Sequence, residues 1–328
     1  MELLVDHRRK PGQGSLVSLA PRPKKHAYLR RLLFFRAIAW FHRHNLASET
    51  DFRDSMIAPP ARLRISRRRS CRSSRANIMA TSTLASNGLV LRARRDDVFF
   101  SAMALVILGT VFLGFARSYY LAGVFHSHLP NLLVHVHAAV FSAWILLFIA
   151  QTSLVSAGRL DWHRRLGVFG AALAGAMVVL GFLVATDSLA RGFAPPGSPF
   201  DPKSFYSIPV FSTAVFCVLI VWALQARADG AAHKRLILIA TISLMGPAVN
   251  RWAFLPVAHR GLLTSLIVDF LILLVAGFDL WSRRRIHRAT VQGGLFMIIA
   301  HQLMFPIGLT PVWHRFATLA ANAWTSFR

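Results

Sequence analysis

The side chains with chemistry to offer are ionisable or polar groups set inside long apolar runs. Each costs several kcal/mol to insert into a bilayer, and is a functional candidate for that reason. In chain order they are Arg117, Tyr119 and Tyr120, His135 and His137, Asp187, Asn250 and Arg251, Asp269, and His301 with Gln302. Arginine and aspartate in a membrane interior can pair with each other, hold an ionic ligand or relay protons. A histidine there can titrate or bind a metal. His135 and His137 stand about 200° apart around a regular helix, so they cannot share one metal ion. His137, Trp144 and Gln151 recur every seven residues and fall on one face, which is expected to turn inward.

These residues need elements to position them. Seven apolar runs follow residue 97, at about 98–121, 131–156, 166–189, 207–226, 235–256, 262–281 and 289–309. Each is long enough to cross a hydrocarbon core about 30 Å thick. The backbone must satisfy its own hydrogen bonds in lipid, and the runs show no strand-like alternation, so each is expected to be a helix. The fold class that follows is all-α, a polytopic transmembrane bundle of about seven spans. Pro247, after Gly246 in the fifth run, is expected to bend its helix. Gly167, Ala171 and Gly175 form a small-residue stripe suited to close helix packing.

The loops orient the bundle. With the N-terminus in the cytoplasm, the inner loops hold Arg159, Arg164, Arg165, Arg227, Lys234, Arg235, Arg283, Arg284, Arg285 and Arg288. The outer side holds Arg191, Lys203, Arg260, Arg315 and Arg328, half as many, as the positive-inside rule requires. Three of the inner loops carry a histidine beside their basic residues: His163-Arg164-Arg165, His233-Lys234-Arg235 and His287-Arg288. They read as topology anchors. Trp162, Trp252, Trp281 and Trp313 fall near span ends, as an aromatic belt would.

Sorted by depth, most of the polar groups lie in the outer half, and the inner half keeps only Gln151 and an interfacial Asp279. The reading drawn from this is an outer-half polar cavity for a small ligand or protons, lined by Arg117, Tyr120, His137, Asp187, Asn250, Arg251, Asp269 and His301. Two alternatives stand beside it. His137 lies about 9 Å and His301 about 12 Å below the outer boundary at 1.5 Å per residue, so the pair could be the axial ligands of one haem b iron. A second haem between Gln151 and His287 fails, because Gln151 is not a ligand. Alternatively, the charges only pair or snorkel, and the protein is a structural or assembly factor.

Composition bounds the rest. Residues 1–97 hold 21 Lys/Arg against 7 Asp/Glu, and residues 98–328 hold 17 against 6, within a chain that is 55% hydrophobic and carries a net +25. The first segment reads as a basic, disordered extension, with Met79 as the expected translation start; an anionic-lipid-binding tail and a targeting presequence are the alternatives. Residues 98–310 form the membrane domain and 311–328 a C-terminal tail. Two cysteines exclude a disulfide framework or cysteine metal cluster. Phosphate-loop, zinc-helix and serine-nucleophile motifs are absent, so no catalytic residue is assigned and enzymatic activity is not expected. The expected partners are the lipid bilayer and the small ligand or protons, with no nucleic acid, because no recognition module accompanies the basic residues.

As a set, LVHVHAAVFSAWILLFIAQTSLVSAGRLDWHRRLG from Leu133, HKRLILIATISLMGPAVNRW from His233 and DLWSRRRIHRATVQGGL from Asp279 resemble a family of uncharacterised bacterial multi-pass inner-membrane proteins. The resemblance covers residues 95–310. It implies a folded protein of the bacterial inner (plasma) membrane and supplies no activity, cofactor or site.

Overall fold

The computed structural model describes residues 94–127, 131–195 and 198–326, and the expectations for residues 1–93, Met79 among them, lie outside that set. Every regular element among the described residues is helical. In chain order they are α1 (Arg94–Tyr120), α2 (Leu132–Ser156), α3 (Leu160–Ala190), α4 (Pro202–Gln225), α5 (Gly230–Ser243), α6 (Gly246–Val249), α7 (Arg260–Arg283), α8 (Arg288–Gly308) and α9 (Pro311–Ser326). Six are long and apolar enough to cross a membrane: α1, α2, α3, α8, α4 with its 3-10 extension to Ala228, and α7 with the 3-10 turn before it.

Four of the helices, α2, α4, α5 and α8, start where a side chain satisfies the first amides. Asn131 Oδ1 accepts from the Val134 amide at 3.0 Å, Asp201 Oδ1 from Lys203 and Ser204, and Asp229 Oδ1 from Ala231 and Ala232. His287 Nδ1 takes the same part for Ala289 at the head of α8. Between α2 and α3 the chain reverses at Gly158, whose φ of +70° suits glycine.

Polar ties show which helix ends lie together. Asp96 at the start of α1 meets Lys234 of α5 and Arg283 of α7, at 2.6 and 2.9 Å. Arg235 of α5 meets Asp279 of α7. Gln151 of α2 donates to the His163 carbonyl of α3. The basic loops therefore gather at one end of the bundle, the basic end; the opposite end is the far end.

The fifth apolar run differs from expectation. It does not bend at Pro247; its helix stops at Ser243. Proline offers no amide and crowds the carbonyl four residues earlier, which here belongs to Ser243. The last turn closes by short bonds, Leu244 to the Thr241 carbonyl and Met245 to that of Ile242, and the Ser243 hydroxyl turns back to the Ala240 carbonyl. At 1.5 Å per residue α5 is about 21 Å long, short of a bilayer core. α6 and a run of turns then carry the chain on to α7. α5 is nevertheless the centre of the fold. Leu236, Leu238, Ile239, Ala240, Thr241 and Ile242 are all fully buried, packed by α4, α7 and α8.

Within the expected C-terminal tail, residues 311–328, the chain forms α9. It is amphipathic and lies across the far ends of α3 and α4. Trp313 Nε1 donates to the Lys203 carbonyl at 2.9 Å near its start, and Trp324 Nε1 to Asp187 Oδ1 at 3.1 Å near its end. Of the expected aromatic belt, Trp162 and Trp281 are exposed, whereas Trp313 of α9 is buried against Tyr206 and Phe211 of α4.

Candidate functional site

The far-half residues do not converge on one cavity. Asp187 is fully buried and collects Arg191 Nε at 3.0 Å, Asn131 Nδ2 at 3.2 Å and the Trp324 indole, which joins α2, α3 and α9. Arg117 is exposed and lies over the Phe125 ring. Tyr120 is exposed too, and its hydroxyl meets that of Ser142. Arg251 donates to the Pro247 carbonyl and lies over the Phe115 ring, and Asn250 caps α6. His137 stacks on Phe141 of its own helix, with ring centroids 4.0 Å apart. His135 points elsewhere, at the Tyr119 hydroxyl.

His301 and Asp269 do come together. Their Nδ1 and Oδ1 stand 4.0 Å apart, and Gln302 Nε2 donates to Asp269 Oδ2 at 3.4 Å. His301 borders a crevice between α4, α5 and α8 that has no room for a water-sized body, and His137 does not border it. These residues do not fit a haem b held between His137 and His301. Among the described residues no group of three or more His, Cys, Asp or Glu is arranged to hold a metal ion.

A roomier cavity lies at the basic end. It holds about 150 Å³ and is half open, between α1, α2, α3, α4 and α5. Small residues make the room: Gly167, Gly170 and Ala171 of α3 face α2, where a Cβ on Gly170 would approach Leu147 Cδ2 to 3.1 Å. The apolar part is built by Phe100, Trp144, Leu147, Phe148, Ile220 and Ile237. Trp144 is held rigidly, its indole donating to Thr241 Oγ1 at 3.3 Å and its ring meeting Phe216 edge-on at 5.4 Å.

Asp97, Gln151, Thr152, His163, His233 and Lys234 add a polar side to the lining. The His163 and His233 rings lie 6.4 Å apart, edge to face. Gln151 Nε2 donates to the His163 carbonyl at 3.3 Å, which leaves Gln151 Oε1 buried without a partner; His163 Nδ1 is buried and unpartnered as well. His233 Nδ1 sits 2.8 Å from the Ala223 carbonyl. Lys234 pairs with Asp96 and lies over the Phe100 ring.

No protein-family model, curated protein or solved structure matches this chain.

Beside the cavity stands a second construction that counting along the sequence missed. Arg235 and Asp279 are both fully buried. Arg235 Nε lies 3.0 and 3.1 Å from the two Asp279 oxygens, and the same carboxylate accepts from the Thr290 hydroxyl and the His287 amide. The Arg235 guanidinium also donates to the Ala231 carbonyl. In the α7–α8 loop, burial holds the His287 imidazole below the usual histidine range. Arg235 and Arg283 act in the same direction, against Asp229 and Asp279.

Two sequence features fall here, although neither reads as a site at this end. The seven-residue face expected to turn inward places Trp144 and Gln151 on the cavity. Two of the three histidine-basic anchors, His163 and His233, are also part of its lining.

Proposed function

We propose that this protein is a multi-pass membrane protein that binds a small, mainly apolar ligand in the cavity at its basic end. The observation that carries the reading is the make-up of the cavity: about 150 Å³, walled by aromatic and aliphatic side chains, with a few polar groups at one side. A mainly apolar lining with a few placed polar groups is the usual form of a small-molecule site. Gly167→Leu tests it, because a Cβ there has only Gln151 Nε2 for a neighbour, at 3.8 Å, and the longer side chain fills the space. In equilibrium dialysis against nanodisc-embedded protein, para-octylanisole should be retained above empty nanodiscs by the unaltered chain and not by Gly167→Leu. Equal retention by both proteins would place the ligand elsewhere and end the reading.

The proposal extends to location. A bacterial inner membrane with the basic end in the cytoplasm is supported by the gathering of the basic loops at one end and by the resemblance of the motif set to bacterial inner-membrane proteins. A second reading, a far-half site for protons or a small polar ligand, keeps one supporting observation. Asp269 Oδ1 and His301 Nδ1 are buried there without hydrogen-bond partners. If that pair serves binding rather than stability, Asp269→Asn should leave the melting temperature unchanged.

A further inference from the structure

Building on the cavity reading, we infer that its ligand carries a neutral hydrogen-bond donor, a phenolic or alcoholic hydroxyl, at its polar end. The polar lining holds acceptors whose orientation is fixed by the protein itself. Gln151 is oriented by its donation to the His163 carbonyl, since a carbonyl can only accept; its own Oε1 is therefore a fixed acceptor, buried and unpartnered. His233 is oriented the same way. Its Nδ1 faces the Ala223 carbonyl and must carry the proton, which leaves Nε2 as an acceptor in the neutral ring. Asp97 adds a carboxylate.

Several of the donors nearby already have partners. The Trp144 indole is used by Thr241. The Thr152 hydroxyl donates to carbonyls of its own helix, at Phe148 and Ile149, and Ser156 donates to the Thr152 carbonyl. Lys234 is held by Asp96. A buried acceptor left without a donor is costly, and a ligand that brings one removes that cost. A carbonyl or ether head would leave the Gln151 acceptor without a donor. A cationic head would satisfy the acceptors, but must enter through the basic end, past Lys234, Arg164 and their neighbours, where like charge disfavours it.

Three ligands with one apolar body separate the possibilities: para-octylphenol, its methyl ether para-octylanisole, and para-octylbenzylammonium. Binding to the full chain in nanodiscs is measured by equilibrium dialysis against empty nanodiscs. The phenol should bind about tenfold more tightly than the ether, the effect of one or two buried hydrogen bonds, and more tightly than the ammonium. Gln151→Met, which keeps the length and removes the acceptor, should shrink the phenol-to-ether ratio towards one; a melting curve checks that the variant is folded. Should that variant fail to fold, the ligand series on the unaltered protein still decides. Equal binding of phenol and ether overturns this inference and leaves the cavity reading standing. Tighter binding of the ammonium overturns the neutral head. If neither phenol nor ether is retained, the cavity reading falls and this inference with it.

Discussion

Arg235 and Asp279 form a fully buried ion pair next to the cavity. Burying both charges is expensive, and breaking such a pair by removing one partner typically costs about 3–5 kcal/mol, because the other is stranded. Arg235→Met alone should therefore destabilise strongly in a denaturant or thermal assay, whereas Arg235→Met with Asp279→Leu should recover most of the loss. Strict additivity of the two single changes would disprove the coupling. The pair was invisible to depth counting: Asp279 read as interfacial, since nothing in a linear pattern brings Arg235, 44 residues away, against it. His287 makes a pH prediction. Its folded-state pKa is lowered, first by burial and then by Arg235 and Arg283. The unfolded chain thus binds this proton more readily, so stability rises with pH. The contribution is complete above the ordinary histidine pKa of about 6.5 and declines as pH falls from there towards the lowered value. His287→Asn preserves a capping side chain without titrating. Melting temperature should fall less between about pH 7 and about pH 5 in that variant than in the parent; parallel slopes would rule out this role.

At the scale of the helices, what was legible was what length and apolarity determine. Six of the expected runs are helices able to cross a bilayer, because lipid leaves the backbone no alternative. The break after Ser243 was not legible. Proline inside a membrane run is as compatible with a bend as with a stop, and the difference lies in how neighbours accommodate the freed groups. The small-residue stripe shows the same limit. It was expected at Gly167, Ala171 and Gly175, but Gly175 has open space beside it, and α3 makes its close approaches at Gly170 and at Gly181, against Thr213. A tighter one is at Gly114 of α1, where a Cβ would run into the Ala248 backbone of α6. Backbone cannot yield as a side chain can. Gly114→Ala should cost about 1–3 kcal/mol, the usual penalty of overpacking. Gly175→Ala, with room for its methyl and a better helix former in place of glycine, should be neutral or gain up to about 1 kcal/mol. Comparing the two by thermal unfolding checks the geometry, since equal effects would deny the close approach of α1 and α6.

For the whole molecule the two ends have different characters, and the end richer in polar residues is not the one where five helices border a cavity. Polar residues are concentrated in the far half, but there they act as separate ties: Asp187 under α9, Tyr120 on Ser142, Arg251 on its own turn. The basic end has fewer polar groups inside the bundle, yet five helices enclose its space. Counting side chains by depth measures how much polarity is present, not whether it shares a cavity; that depends on which helices pack, and on small residues such as Gly167 and Gly170 opposite large ones. The same organisation bears on topology. α4 ends and α5 begins at the basic end, and α7 is about 36 Å long at 1.5 Å per residue, with its last turn at that end too, beside Asp96. The start of α7 must then be at the far end, so α5, α6 and the turns after them should carry the chain across the membrane without a continuous helix. Arg227 and Ala258 flank this segment, and both are exposed. With Cys71 and Cys217 replaced, Ala258→Cys should react with a membrane-impermeant maleimide on intact spheroplasts, and Arg227→Cys only after permeabilisation. Reaction of both from the same side would make the segment re-entrant and would put α7 and α8 in the opposite sense to that expected from their basic loop.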